Sequence, residues 1–87
     1  MPERLLWTAA AGSDYVWWQG QDRRTLKRIN LILQDTLRHP FDGVGKPEPL
    51  RGNLAGFWSR RIDDTHRLVY TVEGDALAVV ACRYRYE

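Results

Sequence analysis

The sequence predicts an α+β domain in which an antiparallel sheet carries two helices packed on one of its faces. Three observations support this prediction: a short apolar run at the start, a helix-forming first half and three strand-like segments in the second half. The order is therefore strand, helix, helix, strand, strand, strand, which suits an antiparallel sheet. A chain of 87 residues is long enough for one small core, so positions 1–87 form a single domain. The other sheet face is left for a substrate or a partner.

The first strand and the first helix lie within the first 20 residues. Residues 4–8 are a short apolar run suited to a strand. Either Thr8 or Ser13 could begin the helix that follows, and residues 9–19 are rich in helix formers. Tyr15 and Trp18 fall on one side of this helix, and a glycine at position 20 is a plausible stop.

The second helix has clearer ends. Asp22 is the expected N-cap, and Pro40 ends the helix near His39 because a residue before proline is disfavoured in the α region. Leu31 falls among the charged positions of the helix, where it is either a singly exposed residue or a contact with a second chain. The stripe that faces the core consists of Leu26, Ile29, Ile32, Leu33, Thr36 and Leu37.

Residues 57–70 are predicted to form a β-hairpin with a loop over residues 63–65. A three-residue loop places Arg61 opposite Arg67, on a sheet face that both share with Val69. The opposite face is predicted to be core and carries Trp58, Ile62, Leu68 and Tyr70.

The last strand covers residues 76–82, a nearly continuous apolar run that follows a turn. The alternation then continues to the end of the chain, with arginines on one face and tyrosines on the other.

The loop over residues 41–53 contains a carboxylate in an unusual setting. Two prolines flank Glu48, and their fixed φ angles hold it in a stiff, extended segment. Glu48 is therefore presented to its surroundings, although a solvated surface glutamate is the ordinary interpretation of such a residue.

Composition excludes several classes of function. Thirteen Lys and Arg against eleven Asp and Glu give a net charge of only +2, so a nucleic-acid site would need a local basic patch. The single Cys82 fits a reducing compartment, and the sequence predicts neither a membrane span nor a signal peptide, so we expect a cytoplasmic protein with no membrane partner. The two histidines and one cysteine lack the spacing of metal ligands, and we expect no metal and no cofactor.

What remains is one presented carboxylate, a hairpin with several arginines, and a tail of Arg and Tyr. A carboxylate can accept the proton of a ribose 2′-OH, and guanidinium groups can stabilise the charge on a phosphate. These side chains suit phosphodiester cleavage of RNA without a metal ion.

Four sequence blocks carry a resemblance to a known family. They are residues 45–50 (GKPEPL), 53–62 (NLAGFWSRRI), 66–70 (HRLVY) and 81–84 (ACRY). In this order they closely resemble the YoeB toxins of YefM–YoeB toxin–antitoxin pairs. The resemblance implies the RelE-like microbial ribonuclease fold and a toxin that enters the ribosomal A site and cleaves the mRNA there. It also implies a YefM-like antitoxin, a toxin homodimer, the 70S ribosome as a partner, and operator DNA contacted only through the antitoxin.

The resemblance also assigns roles to individual residues. Glu48 falls on the general base of the family, and Arg67 on the arginine that stabilises the phosphate in the transition state. Lys46 and Arg61 fall on supporting cations, and Tyr86 on the terminal tyrosine of the family. Arg60 is a second candidate for RNA or phosphate binding; strand alternation allows only one of Arg60 and Arg61 onto the working face, leaving the other as a solvated edge charge or an RNA contact.

The chain departs from the family at position 85. The family has a histidine between two tyrosines, at the position of its general acid, and this chain has Arg85. Arginine keeps its proton up to a pH above about 12 and is a poor donor to a leaving oxygen. The alternative function is therefore a catalytically impaired module that binds the ribosome or serves with the antitoxin as a co-repressor. His66 is the only nearby substitute acid, but alternation places it on the core face as a structural histidine.

Overall fold

The computed structural model describes residues 2–84, and it has the predicted α+β fold with both helices on one face of a sheet. The first half contains β1 (Arg4–Trp7), α1 (Ala9–Gln19) and α2 (Arg23–Arg38). The second half contains β2 (Glu48–Pro49), a 3-10 turn (Gly52–Leu54), β3 (Trp58–Arg61), β4 (Arg67–Glu73) and β5 (Ala76–Ala81).

The sheet is mixed, which corrects the prediction of a purely antiparallel sheet. The strand order is β1-β5-β4-β3-β2, and β1 pairs with β5 in parallel while all other pairs are antiparallel. The two helices between β1 and the hairpin carry the chain across the sheet, so β1 can lie parallel to the last strand. A second difference is β2: the stiff segment at Glu48 pairs with β3 as a two-residue edge strand.

Local capping chemistry fixes the helix ends. Thr8, not Ser13, begins α1, because its Oγ1 accepts a hydrogen bond of 3.1 Å from the amide of Ala11. Asp22 caps α2 as predicted, accepting from the amide of Arg24 at 3.0 Å and from the hydroxyl of Thr25 at 2.7 Å. The hydroxyl of Thr25 is the main cause of the lowered pKa of Asp22.

The core lies between the helices and one face of the sheet. On α2, Ile29 and Ile32 are fully buried, while Leu31 is 52% exposed on the charged side, as its position in the helix predicts. Trp18 of α1 reaches the end of β5, where its Nε1 donates to the carbonyl of Cys82 at 2.8 Å. The sheet contributes Leu68, Tyr70, Leu77 and Val79 to this core.

The hairpin has the predicted register. Arg61 lies opposite Arg67, and Asp63 holds the turn by accepting hydrogen bonds from the backbone amides of the two residues before Arg67, at 2.8 and 2.6 Å. Ile62 is buried on the core face as expected. Trp58 is only half-buried and contacts the exposed ring of Phe41, with the ring centroids 4.8 Å apart.

The predicted alternation beyond β5 is wrong for the described part of the tail. β5 ends at Ala81, and Tyr84 has a positive φ of 64°, which a strand does not allow. Its amide donates to Nδ1 of His66 at 2.7 Å, and its carbonyl accepts from the amide of Arg67 at 3.1 Å. Arg83 lies over the ring of Trp17, 3.6 Å from its centroid.

Candidate active site

Polar side chains converge on the sheet face that the helices do not cover. Glu48 of β2 lies opposite Ser59 of β3, and Arg61 at the end of β3 lies opposite Arg67 of β4. Directly opposed residues in an antiparallel pair share a face, and so do alternate residues along a strand. The register therefore brings these four side chains to one face of three neighbouring strands.

Arg67 is the centre of the cluster. Its Nη1 donates to Oε1 of Glu48 at 3.0 Å and to the hydroxyl of Ser59 at 3.2 Å. The Arg67 side chain is 23% exposed and that of Glu48 is 57% exposed. An ion pair so open to water contributes at most about 1 kcal/mol to folding, so an incoming anion can replace the carboxylate at the guanidinium.

The cluster has an excess of positive charge. Arg61 is exposed and faces Arg67 directly across the strands, and like charges in that position destabilise a sheet. Lys46 is also exposed and has a left-handed φ of 52°, which is uncommon for a residue other than glycine and is frequent at functional sites. Arg67 contacts the carboxylate of Glu48, Arg61 lies opposite Arg67, and Lys46 is two positions before Glu48, so this part of the surface has three cations to one carboxylate and is suited to binding an anion.

A glycine brings the preceding loop close to the hairpin. The carbonyl of Gly45 accepts from the amide of Arg61 at 2.7 Å, and a Cβ at Gly45 would lie 2.9 Å from the carbonyl oxygen of Arg61. Gly45 has a φ of +84°, so both its conformation and its surroundings exclude a side chain. This contact fixes the start of the segment that carries Lys46 and Glu48.

The prediction that Arg60 contacts RNA or phosphate is wrong. Strand alternation turns Arg60 to the helix-covered face, where it is 0% exposed and forms an ion pair of 2.7 Å with Asp35. Arg61 is therefore the arginine of this pair on the open face. The lowered pKa of Asp35 has two main causes, the hydrogen bond from the amide of Val44 and the one from Arg60.

Sequence reasoning missed Ser59. It is 1% exposed, and its hydroxyl supports Arg67 from beneath. A signal was present, since alternation along β3 places Ser59 on the same face as Arg61.

Arg85 and Tyr86 lie outside the described residues. His66 has the structural position expected of it, packed edge to face on Trp18 with ring centroids 4.8 Å apart.

The geometry permits acid–base and phosphate chemistry. The Glu48 carboxylate can accept a proton, and Arg61 and Arg67 can bind the oxygens of a phosphate beside it. Within residues 2–84, no three His, Cys, Asp or Glu side chains are grouped to hold a metal ion. Among the same residues, no helix has the length and apolar character needed to cross a membrane.

Comparison with known proteins identifies the family. Residues 7–86 match the family model described as the YoeB-like toxin of bacterial type II toxin–antitoxin systems. The chain is 55% identical to Toxin YoeB of Escherichia coli O6:H1 over 83 residues, covering 95% of this chain and 99% of that protein.

Solved structures agree with the sequence match. The YoeB/ParE toxin from Agrobacterium tumefaciens has a TM-score of 0.93 at 47% identity, covering 95% of this chain and 99% of its own. YoeB from Staphylococcus aureus, solved as a dimer and as a YoeB–YefM complex, has a TM-score of 0.88 in both, at 39% and 38% identity. Each of those comparisons covers 95% of this chain and 97% of the other. The chain therefore belongs to the YoeB-like toxins of bacterial type II toxin–antitoxin systems.

Proposed function

We propose that this toxin is a ribosome-dependent, metal-independent endoribonuclease that cleaves mRNA in the ribosomal A site. The observation that carries the proposal is the contact of 3.0 Å between Glu48 and Arg67 on the open sheet face, with Arg61 opposite Arg67. A base and two phosphate-binding cations are thereby held within one small area. The reaction class follows from these groups, and the ribosome and mRNA as partners follow from the family.

Each step uses a group of this cluster. Glu48 accepts the proton of the ribose 2′-OH, and the 2′ oxygen attacks the adjacent phosphorus. Arg67 and Arg61 stabilise the negative charge that develops on the phosphate oxygens, and Lys46 adds a third cation nearby. The P–O5′ bond breaks, giving a 2′,3′-cyclic phosphate, and the 5′ oxygen takes a proton from a water molecule. Arg85 occupies the position of the acid in the family, and Tyr86 that of the terminal tyrosine.

The partners follow from family membership. A YefM-like antitoxin is the expected inhibitor, because the relative from Staphylococcus aureus forms a YoeB–YefM complex. The same relative forms a dimer, which supports a toxin homodimer here. Operator DNA would be contacted through the antitoxin only, and the toxin would act in the cytoplasm.

A second function is favoured by one residue. Arg85 stands where the family has a histidine, and a guanidinium does not release its proton near neutral pH. A toxin that lacks its acid could still occupy the A site or bind the antitoxin as a co-repressor without cutting mRNA.

Cleavage of an mRNA on purified ribosomes, read by primer extension, separates the two functions. The toxin freed of antitoxin should cut in the A site, and Glu48→Gln and Arg67→Ala should each lower the rate of cutting by about 10²-fold or more while the melting temperature stays close to that of the parent. Arg85→His should raise the rate by about 10²–10⁴ if the acid is missing. Absence of A-site cuts even with Arg85→His would overturn the enzymatic proposal, whereas equal rates for the parent and Arg85→His would overturn the impaired one.

A further inference from the structure

A buried arginine satisfies all of its hydrogen-bonding groups beneath the loop that leads to Glu48. Arg60 is 0% exposed, and an unpaired charge in such a place would be very costly. A guanidinium has five N–H groups in a fixed planar arrangement, and here the structure has five hydrogen bonds to match them. No donor of this side chain is left for an external ligand.

Most of the acceptors belong to one irregular segment, residues 39–45. Nη1 of Arg60 donates to Oδ2 of Asp35 at 2.7 Å, and Nε donates to the hydroxyl of Tyr70 at 3.2 Å. The remaining three acceptors are the carbonyls of His39, Asp42 and Val44.

The two side-chain partners of Arg60 bind the same segment. Oδ2 of Asp35 accepts from the amide of Val44 at 2.9 Å, and the hydroxyl of Tyr70 donates to the carbonyl of Pro40 at 2.6 Å. Gly43 has a φ of +117°, and a Cβ there would lie 2.1 Å from Oδ2 of Asp35. The segment is therefore wrapped closely around the ion pair, with room for glycine only at its nearest point.

This segment leads directly into the active site. It has no regular secondary structure between α2 and β2, so its position depends on side-chain contacts. Gly45 is followed by Lys46, Pro47 and Glu48. The fixed φ angle of Pro47 limits how far Glu48 can move relative to Gly45. A displacement of residues 39–45 would therefore move Glu48 relative to Arg67.

We propose that Arg60 and Asp35 are positioning residues, which act on catalysis by holding the 39–45 segment and thereby setting where Glu48 meets Arg67 and the substrate. The proposal rests on Glu48 being the base. Stability alone is a weak reason for such a pair, because apolar side chains of similar volume often stabilise a core as well as a buried ion pair does. Directional bonds to several carbonyls of one loop hold that loop in one place, which apolar packing does not do.

The main test is Arg60→Lys. An ammonium has three donors and cannot replace five hydrogen bonds, so the segment should loosen while the charge is kept. In hydrogen exchange followed by NMR, the amides of Val44 and Arg61 should exchange about tenfold faster or more, and those of β4 and β5 should keep their protection. On ribosomes, kcat should fall by about tenfold or more with KM little changed, because the base is misplaced while the phosphate-binding arginines remain.

A second variant perturbs the same segment while leaving both residues of the buried pair unsubstituted. Gly43→Ala places a methyl group against the Asp35 carboxylate and should produce the same pattern of exchange and kcat. The control is Leu77→Ala, which removes core volume beneath β5 and should lower the melting temperature at least as much without selective exchange at Val44.

The double variant with Glu48→Gln separates failure of this proposal from failure of the proposed function. If Arg60 acts through Glu48, Arg60→Lys should lower the residual rate of Glu48→Gln no further. If Glu48→Gln retains full activity, the assignment of the base is wrong. If Glu48→Gln loses most of its activity but both folded loop variants keep the parental kcat and the parental exchange at Val44, the positioning role is overturned.

Discussion

Removing the hydroxyl of Ser59 should slow cleavage while leaving the fold intact. The Ser59 hydroxyl is one of two side-chain groups that hold Nη1 of Arg67, and the other is the Glu48 carboxylate, which must be free to take a proton. In the Ser59→Ala variant, Arg67 would depend on Glu48 alone for its position. We therefore expect the phosphate-binding guanidinium to sample other rotamers when Glu48 turns to the substrate.

The expected magnitude follows from the geometry. A hydrogen bond to a charged group contributes about 1.5–3 kcal/mol. The hydrogen bond between Arg67 and Ser59 is 3.2 Å long, and the Arg67 side chain is 23% exposed. Water can therefore replace part of this interaction, and its contribution should lie at the lower end of that range. A loss of about 1.4 kcal/mol in transition-state binding corresponds to about a tenfold lower kcat. The cost to folding should be about 1 kcal/mol, because a buried serine loses only one bond.

The assay is the single-turnover rate of mRNA cleavage on ribosomes with toxin in excess, alongside thermal unfolding. Thr71→Val is the matched control: it removes a hydroxyl that donates to the carbonyl of Gly56 at 2.9 Å, on the same strand as Arg67 but away from the cluster. It should lower stability slightly and leave the rate unchanged. A Ser59→Ala variant that cleaves at the parental rate would refute the argument that the hydroxyl positions Arg67.

Three further predictions concern stability, reactivity and assembly. Burial raises the pKa of Cys82 to about 12, so a thiol reagent at pH about 8 should label it only after denaturation, and rapid labelling of the folded protein would contradict this. The pKa of Asp35 is lower in the folded protein than its ordinary value of 3.8. Its ionised form therefore stabilises the fold at any pH above the unfolded-state pKa, and this contribution disappears as the pH falls through the folded-state pKa. The stability difference between the parent and Asp35→Asn, from urea unfolding, should therefore shrink between neutral pH and pH about 3, and a constant difference would oppose it. Leu31→Ser should change stability by less than about 0.5 kcal/mol and leave the sedimentation coefficient unchanged, and a lower sedimentation coefficient would contradict this and indicate a contact of Leu31 with a second chain.

Features set by local chemistry could be predicted from the sequence. Asp22 and Pro40 bound α2 because capping and proline geometry act within a few residues, and the hairpin register followed from a three-residue loop. The parallel pairing of β1 with β5 could not, because it joins residues more than 70 positions apart and periodicity does not encode strand direction. The end of β5 was also missed, since Tyr84 leaves the strand to bond His66 on another hairpin.

The two central residues of the candidate site could also be predicted from the sequence. The family resemblance pointed to Glu48 and Arg67, and the structure places them in contact although 19 positions separate them. It did not single out the support from Ser59, because that contact crosses from β3 to β4 and a serine on a strand has no distinctive pattern of its own. Nor could it show that Arg60 is buried, because its partner Asp35 lies on a helix 25 positions earlier.

The neighbouring arginines Arg60 and Arg61 show how strand geometry divides two identical side chains between structure and function. Successive residues point to opposite faces, so one arginine enters the helix-covered side and the other the open side. A slip of β3 by one residue would bring Arg61 to the buried side in place of Arg60, but it would also turn the buried Ile62 toward the open face. Exposing a buried isoleucine side chain costs about 1.5–3 kcal/mol, so the apolar packing of Ile62 opposes the slip. The register that buries Ile62 therefore keeps Arg61 opposite Arg67, on the face where a phosphate can reach both.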